Sequence, residues 1–135
     1  MKFLVDANVV SEATRQRPES QVIDWLQENK GVSAVNPIVL GEIEFGILSL
    51  EAGSRRRRLQ EWFKNAIRAL HVLDMDAGTA AEWAALLAEL RRKGRAMPIK
   101  DSLIAATARQ HDLIVVTRNV ADYKFAGVEL VNPFA

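Results

Sequence analysis

Short, largely apolar runs alternate along the chain with longer segments of helical periodicity, and this alternation constrains the fold more than any other feature. Runs that are apolar at consecutive positions are typical of strands buried on both faces of a parallel sheet. The sequence therefore predicts a three-layer α/β/α domain with a central, mainly parallel sheet of four or five strands. The candidate strands are Lys2–Val5, Val32–Val35, Val72–Leu73, Leu113–Val116 and Val128–Val131.

Capping patterns predict where the helices between these strands begin. Asn36 followed by Pro37 is a favourable helix start. The segment that follows, residues 38–52, is apolar almost all round, so it should be buried or pressed against a partner. Thr79, with Glu82 three positions later, predicts a capping box at the start of another helix.

Composition limits the class of protein and the kinds of site. The 135 residues suit a single domain that spans the whole chain, 1–135. The absence of cysteine excludes disulfides, thiolate zinc sites, iron–sulfur clusters and a cysteine nucleophile. No apolar run approaches the ~20 residues of a membrane span, and the N-terminus lacks the layout of a signal peptide, so we expect a cytoplasmic domain without a membrane partner.

The net charge of +1 conceals a strongly uneven distribution. Residues 1–54 contain four basic and eight acidic side chains, whereas residues 55–100 contain eleven basic and five acidic ones. Residues 101–135 contain three basic and four acidic side chains. A nucleic-acid partner is therefore compatible with the sequence if the basic groups form one surface.

Acidic residues follow two of the predicted strands. Asp6 comes directly after the first strand, and Asp122 lies in the loop after the Leu113–Val116 strand. Open parallel sheets bind ligands beyond the carboxyl ends of their strands. These two carboxylates are therefore candidates for one active site.

Two further acids lie on predicted helices with apolar neighbours. Asp101 shares a helix face with Ile104 and Ala105, and a charge directed at a packed face is costly unless it is paired or coordinated. On the apolar helix, Glu42 and Glu44 have equally apolar neighbours. Periodicity alone leaves the choice between Glu42 and Glu44 open.

Converging carboxylates repel one another, and a divalent cation removes that repulsion. Ligands that are all oxygen favour Mg²⁺ or Mn²⁺ over zinc. Such an ion can activate water and stabilise negative charge on a phosphoryl group. The sequence therefore predicts a Mg²⁺ or Mn²⁺ site.

Four segments resemble the motifs of PIN-domain ribonucleases, in particular the VapC toxins of toxin–antitoxin pairs. They lie in the expected order and span nearly the whole chain. In the second motif the acid precedes a glycine by four positions, which selects Glu42 over Glu44. The segments are residues 4–12 (LVDANVVSE), 40–47 (LGEIEFGI), 99–106 (IKDSLIAA) and 115–123 (VVTRNVADY).

The resemblance implies an endoribonuclease that depends on Mg²⁺ or Mn²⁺, acts on RNA, forms a homodimer and is inhibited by an antitoxin. It also implies the residues of the site. The acidic cluster, catalytic and metal-binding, is Asp6, Glu42, Asp101 and Asp122, and the side chains that shape it are Asn8, Thr117 and Asn119.

Basic side chains near these motifs are candidates for RNA binding. Arg55–Arg58 oppose the dipole of the helix that they begin, so helix stability does not explain them, although a solvated surface run would. Arginine binds phosphate in bidentate geometry. Lys100, beside Asp101, and Arg118, in the fourth motif, are also placed to contact RNA.

Two alternatives to a ribonuclease toxin remain. One is a PIN nuclease that processes RNA without being a toxin, which only the neighbouring gene distinguishes. The other is a receiver-like phosphoacceptor domain, which is also α/β. The receiver alternative is disfavoured because Asp6 has no adjacent acid, although Asp74 and Asp76 follow a predicted strand.

Overall fold

A computed structural model of the chain describes residues 1–135, with the side chain of Ile67 left out. Five strands form one sheet in the order β3-β2-β1-β4-β5, and every neighbouring pair is parallel. The predicted parallel α/β architecture is therefore confirmed. The strands are β1 (Phe3–Val5), β2 (Ser33–Val35), β3 (His71–Val72), β4 (Ile114–Val116) and β5 (Leu130–Val131).

The helices lie between the strands, each longer helix following the apolar pattern seen in the sequence. Short 3-10 turns occupy Ser11–Thr14, Lys30–Val32 and Val120–Tyr123. None of the helices in the described chain is both long and apolar enough to cross a membrane. The helices are α1 (Ala7–Val10), α2 (Ser20–Glu28), α3 (Pro37–Leu48), α4 (Ser54–Ala69), α5 (Ala77–Arg92) and α6 (Ile99–His111).

The order of the strands reverses between β1 and β4. From β1 the chain moves outward to β2 and β3, then returns across the sheet to β4 and β5. Right-handed crossovers in opposite directions place α2 and α4 on one face of the sheet and α5 and α6 on the other. A crevice opens at such a reversal, outside the carboxyl ends of the two strands. The order also differs from the 2-1-3-4-5 order of flavodoxin-like receiver domains, which argues against the receiver alternative.

The start of α5 corrects one prediction. Asp76, not Thr79, caps this helix: the Asp76 carboxylate accepts the backbone N–H of Thr79 at 3.1 Å, and the Thr79 hydroxyl accepts the backbone N–H of Asp76 at 3.0 Å. The predicted cap was wrong because both residue types favour that position, and Thr79 is the third residue of the helix. Glu82 instead pairs with Arg109 of α6 at 3.2 Å.

Helix α3 is partly buried and partly exposed, although its sequence is apolar all round. Val39, Ile43 and Ile47 lie in the core, whereas Phe45 is 73% exposed and Leu48 is 47% exposed. The sequence left open whether this helix is core or interface. One face is core, and the other presents apolar surface to solvent.

Two hydrogen bonds between helices fix the elements that border the crevice. Asn36 caps α3 by accepting the N–H of Val39, and its side-chain amide donates to the Thr107 hydroxyl of α6 at 3.0 Å. The Trp83 indole of α5 donates to the Ser102 hydroxyl of α6 at 2.9 Å. The positions of α3, α5 and α6 are therefore linked by polar contacts as well as by apolar packing.

Replacement of Asn36 tests this link. Asn36→Ala removes a helix cap and leaves the fully buried Thr107 hydroxyl without its donor, so we expect a loss of about 2 kcal/mol in the free energy of unfolding. Urea denaturation measures this loss, and the dependence of the unfolding free energy on urea concentration should be unchanged. Ser49→Ala, which removes an exposed hydroxyl bound to the Phe45 carbonyl, is the control and should cost less than about 0.5 kcal/mol. Equal losses for the two variants would contradict the proposed link.

Candidate active site

Asp6 lies at the carboxyl end of β1, where the strand order reverses, and is 3% exposed. One carboxylate oxygen, Oδ1, accepts the backbone N–H of Ala7 at 2.8 Å and so caps α1. The other, Oδ2, accepts the hydroxyl of Thr117 at 2.9 Å and the hydroxyl of Tyr123 at 3.2 Å. These donors hold a buried carboxylate in one orientation at the mouth of the crevice.

The residues predicted to shape the site connect β1 to the loop after β4. The Asn8 amide donates to Asp6 Oδ2 and to Thr117 Oγ1, both at 3.4 Å, and its oxygen accepts the backbone N–H of Arg118 at 3.0 Å. Asn119 contributes its backbone N–H, which donates to Thr117 Oγ1 at 3.1 Å. The Thr117 hydroxyl therefore receives donors from two sides while it donates to Asp6.

Asp101 lies in the first turn of α6 and faces Asp6 across a shared hydroxyl. The Tyr123 hydroxyl is within 3.4 Å of Asp101 Oδ1 and 3.2 Å of Asp6 Oδ2. Burial, followed by the negative charges of Asp6 and Asp122, raises the pKa of Asp101 to about 6. Asp101 is therefore within electrostatic range of both strand-end acids.

Glu42 approaches the same acids from α3. Burial raises the pKa of Glu42, and the charge of Asp6 raises it further, whereas Lys100 lowers it. Lys100 Nζ lies 3.8 Å from Glu42 Oε2. The second oxygen, Oε1, is the one buried side-chain polar atom in the described structure that has no hydrogen-bond partner. Glu44 is exposed and, unlike Glu42, lines a separate surface hollow together with Lys64 of α4.

Asp122 is an exposed residue in the 3-10 turn after β4. Its charge acts on Asp101, although no hydrogen bond links the two carboxylates in the described structure. The structure thus brings Asp6, Glu42 and Asp101 together, and Asp122 is near enough for its charge to act on Asp101.

The donor set suits a hard divalent cation, although no metal geometry is formed in advance. No group of three or more His, Asp or Glu side chains, among the residues the structure describes, is arranged to hold a metal ion. Burial and the charges of neighbouring carboxylates nevertheless raise the pKa values of Glu42 and Asp101, and Glu42 Oε1 is buried without a donor. Both features are relieved by a cation bound to oxygen ligands.

The basic candidates occupy different places around the crevice. Lys100 pairs with Glu42, and the Arg118 guanidinium stacks on the Phe134 ring at 4.6 Å. Of the run Arg55–Arg58, Arg55 lines a groove that leads from the acids. The groove has a volume of about 390 Å³, and Asn8 and Glu42 are among its other lining residues.

Three residues of interest were missed by sequence reasoning. Tyr123 could have been noticed as the only tyrosine of the chain, beside Asp122, but its contact with two acids depends on the fold. Arg15 and Arg17 form a hollow with Arg55. The only sequence signal for them was a basic pair between two predicted helices.

Comparisons with known proteins identify the family of this chain. The family model of the PIN domain matches residues 3–128. The chain is 33% identical to Toxin FitB of Neisseria gonorrhoeae over 98% of both chains. It is 30% identical to the tRNA(fMet)-specific endonuclease VapC of Shigella flexneri, over 94% of this chain and 93% of that protein.

A solved structure shows the same fold. The structure of FitAcB from Neisseria gonorrhoeae superposes with a TM-score of 0.91 at 30% identity, over 98% of both chains. The sheet and the helices that carry the acidic cluster are therefore shared with a protein of known structure. The chain belongs to the PIN-domain family, and its relatives in that family include VapC ribonucleases.

Proposed function

We propose that this protein is a Mg²⁺- or Mn²⁺-dependent endoribonuclease that hydrolyses RNA phosphodiester bonds. The observation that carries the proposal is the convergence of four carboxylates on the crevice between β1 and β4, one of them with a buried, unpartnered oxygen. The nuclease relatives support the choice of RNA as substrate. A cation bound to these oxygen atoms would relieve their repulsion, and relatives named as an endonuclease and a ribonuclease support phosphodiester hydrolysis as the reaction.

The chain's own residues prepare the site in three ways. Asp6, Glu42, Asp101 and Asp122 would hold the cation, which when bound supplies positive charge for the phosphate and for a water nucleophile. Asn8, Thr117 and Tyr123 keep the Asp6 carboxylate in a fixed orientation. One carboxylate of the cluster accepts the proton of the attacking water.

We further propose that the protein is the toxin of a toxin–antitoxin pair and acts in the cytoplasm as a homodimer. Relatives are called toxins, and the solved relatives include complexes named VapBC and FitAB. The exposed Phe45 and Leu48 of α3 support a protein interface, because they form adjacent apolar surface on one helix. Co-expression with the product of an adjacent small reading frame should suppress toxicity and yield a stable complex, and a chain that is harmless alone would favour a processing nuclease.

Removal of single carboxylates tests the nuclease. Asp6→Asn and Glu42→Gln should each lower RNA cleavage in Mg²⁺ or Mn²⁺ by about 100-fold or more, because outer-sphere contacts alone are worth 10- to 100-fold. Glu44→Gln is the matched control: it lies two positions from Glu42 on the same helix but is exposed. Gel analysis of labelled RNA measures the rates. Undiminished cleavage in EDTA, or equal losses for Glu42 and Glu44, would rule out the proposed site.

Asp101→Asn should separate stability from activity. Folding raises the pKa of the Asp101 carboxyl to about 6. Ionised Asp101 therefore destabilises the folded protein once the pH exceeds the pKa of this carboxyl in the unfolded chain, and the cost grows until the pH passes about 6. We therefore expect the metal-free variant to be more stable than the wild type by about 1 kcal/mol at pH 8. The difference should vanish below about pH 3, where the carboxyl is protonated in both the folded and the unfolded state.

Thermal unfolding in EDTA at the two pH values measures this difference, and cleavage assays should show that the more stable variant is inactive. A variant that is less stable than the wild type at pH 8 would show that repulsion does not dominate at Asp101.

Tyr123→Phe tests how the carboxylates are positioned. Burial raises the pKa of the Tyr123 hydroxyl, which therefore keeps its proton between Asp6 and Asp101. Loss of this shared donor should weaken Mn²⁺ binding by about tenfold, in the range of other groups that orient metal ligands. Isothermal titration calorimetry measures the affinity, and circular dichroism checks the fold. An unchanged affinity would assign Tyr123 to core packing alone.

A further inference from the structure

A second hollow lies beside the groove that leads from the acidic cluster. Its volume is about 410 Å³, and its lining residues are Arg15, Gln16, Arg17 and Arg55. Arg15 and Arg17 follow the short 3-10 turn after α1, and Arg55 is in the first turn of α4. Three arginines from two distant segments of the chain therefore line one surface hollow, which we call the arginine hollow.

The positive charge of the arginine hollow is largely uncompensated. Arg15 is 3.8 Å from Glu12 Oε1, a long pair whose other carboxylate oxygen already accepts the N–H of Glu19 at 2.9 Å. Within the described side chains, Arg17 and Arg55 form no ion pair, and no carboxylate lines the hollow. Converging like charges are unfavourable unless an anion is bound between them.

Arg55 also connects the arginine hollow to the acidic cluster. It lines the groove of about 390 Å³ whose other end is formed by Asn8 and Glu42. The groove follows α3 from Glu42 past the last residue of the helix, Leu48, and reaches Leu50. This length corresponds to about 12 Å at 1.5 Å per residue. Its floor is apolar and includes Ile47 and Trp62.

We propose that the arginine hollow binds a backbone phosphate of the RNA, a few nucleotides from the bond that is cleaved, and so aligns the strand along the groove. The inference rests on the proposed ribonuclease function and deepens it. Guanidinium groups bind phosphate oxygens in pairs, and a nucleic acid carries further phosphates along the same strand. An acidic protein segment would also be attracted, but a groove that begins at a phosphodiester-cleaving centre favours the strand being cleaved.

The four consecutive arginines of α4 do not all belong to the hollow. Arg55 contributes to the hollow, whereas Arg56, Arg57 and Arg58 are not among its lining residues. Successive helical residues point about 100° apart, so Arg56 and Arg57 point in other directions from Arg55, whereas Arg58, on nearly the same side, lies about 4.5 Å farther along the axis of α4. The neighbours of Arg55 therefore provide a control of equal charge.

The test compares two triple variants with the same net charge. In one, Arg15, Arg17 and Arg55 are replaced by Gln, and in the other Arg56–Arg58 are replaced by Gln. Binding of a fluorescein-labelled, single-stranded 12-nucleotide RNA is measured by anisotropy in EDTA across a salt series. We expect the hollow variant to bind about tenfold more weakly, with a salt slope smaller by about 0.7, and the control variant to change little. Equal losses in both variants, or no RNA binding by the wild type, would overturn the arginine hollow.

Cleavage in Mg²⁺ separates this inference from the proposed function. The hollow variant should show a higher KM for the 12-nucleotide RNA with an unchanged kcat, and unchanged cleavage of a dinucleotide too short to reach the hollow. If the hollow variant cleaves the 12-nucleotide RNA with an unaltered KM, the proposed role of the arginine hollow is refuted and the nuclease proposal stands. If the wild type does not cleave RNA, but the hollow variant still binds RNA more weakly than the control variant, only the nuclease proposal is refuted. A hollow variant that loses affinity for a poly-glutamate peptide but retains RNA binding would assign the hollow to a protein partner.

Discussion

The buried carboxylate of Asp6, held where the strand order reverses, is the interaction on which the site depends. The reversal opens a crevice between β1 and β4, and Asp6 is the first residue beyond β1. Hydrogen bonds from Ala7, Asn8, Thr117 and Tyr123 stabilise the charge of the Asp6 carboxylate and fix its orientation. The other acids are then brought toward a charge that is already fixed, and folding must overcome their repulsion.

The helix contacts around the crevice oppose this repulsion. Asn36 and Thr107 link α3 to α6, the helices that carry Glu42 and Asp101. On the other side of α6, the Trp83 indole donates to Ser102, the residue next to Asp101. These hydrogen bonds are made by neutral groups, so they persist whether or not the carboxylates are charged. The site is thus held together by contacts independent of the ion that it would bind.

The sequence carried enough information for the architecture and for the acidic candidates, but not for the contacts between distant segments. Buried strands and strand-end acids are local patterns, and they predicted both the parallel sheet and Asp6. Periodicity could not separate Glu42 from Glu44, because α3 is apolar on every side and only packing distinguishes its faces. The Tyr123 hydroxyl between two acids and the meeting of Arg17 with Arg55 depend on tertiary geometry, which no local pattern encodes.

The separation of charge in the structure explains why RNA binding and cleavage need different surfaces. An RNA phosphate that approaches Asp6, Glu42, Asp101 and Asp122 without a cation is repelled by every one of them. Attraction to the strand must therefore come from cationic groups far enough from the acids to avoid being neutralised by them. Lys100 does not meet this condition, because it lies at the acidic cluster itself, with its Nζ 3.8 Å from Glu42 Oε2. The arginine hollow does, since no carboxylate lines it and it meets the acidic cluster only through the groove that Arg55 and Glu42 both line.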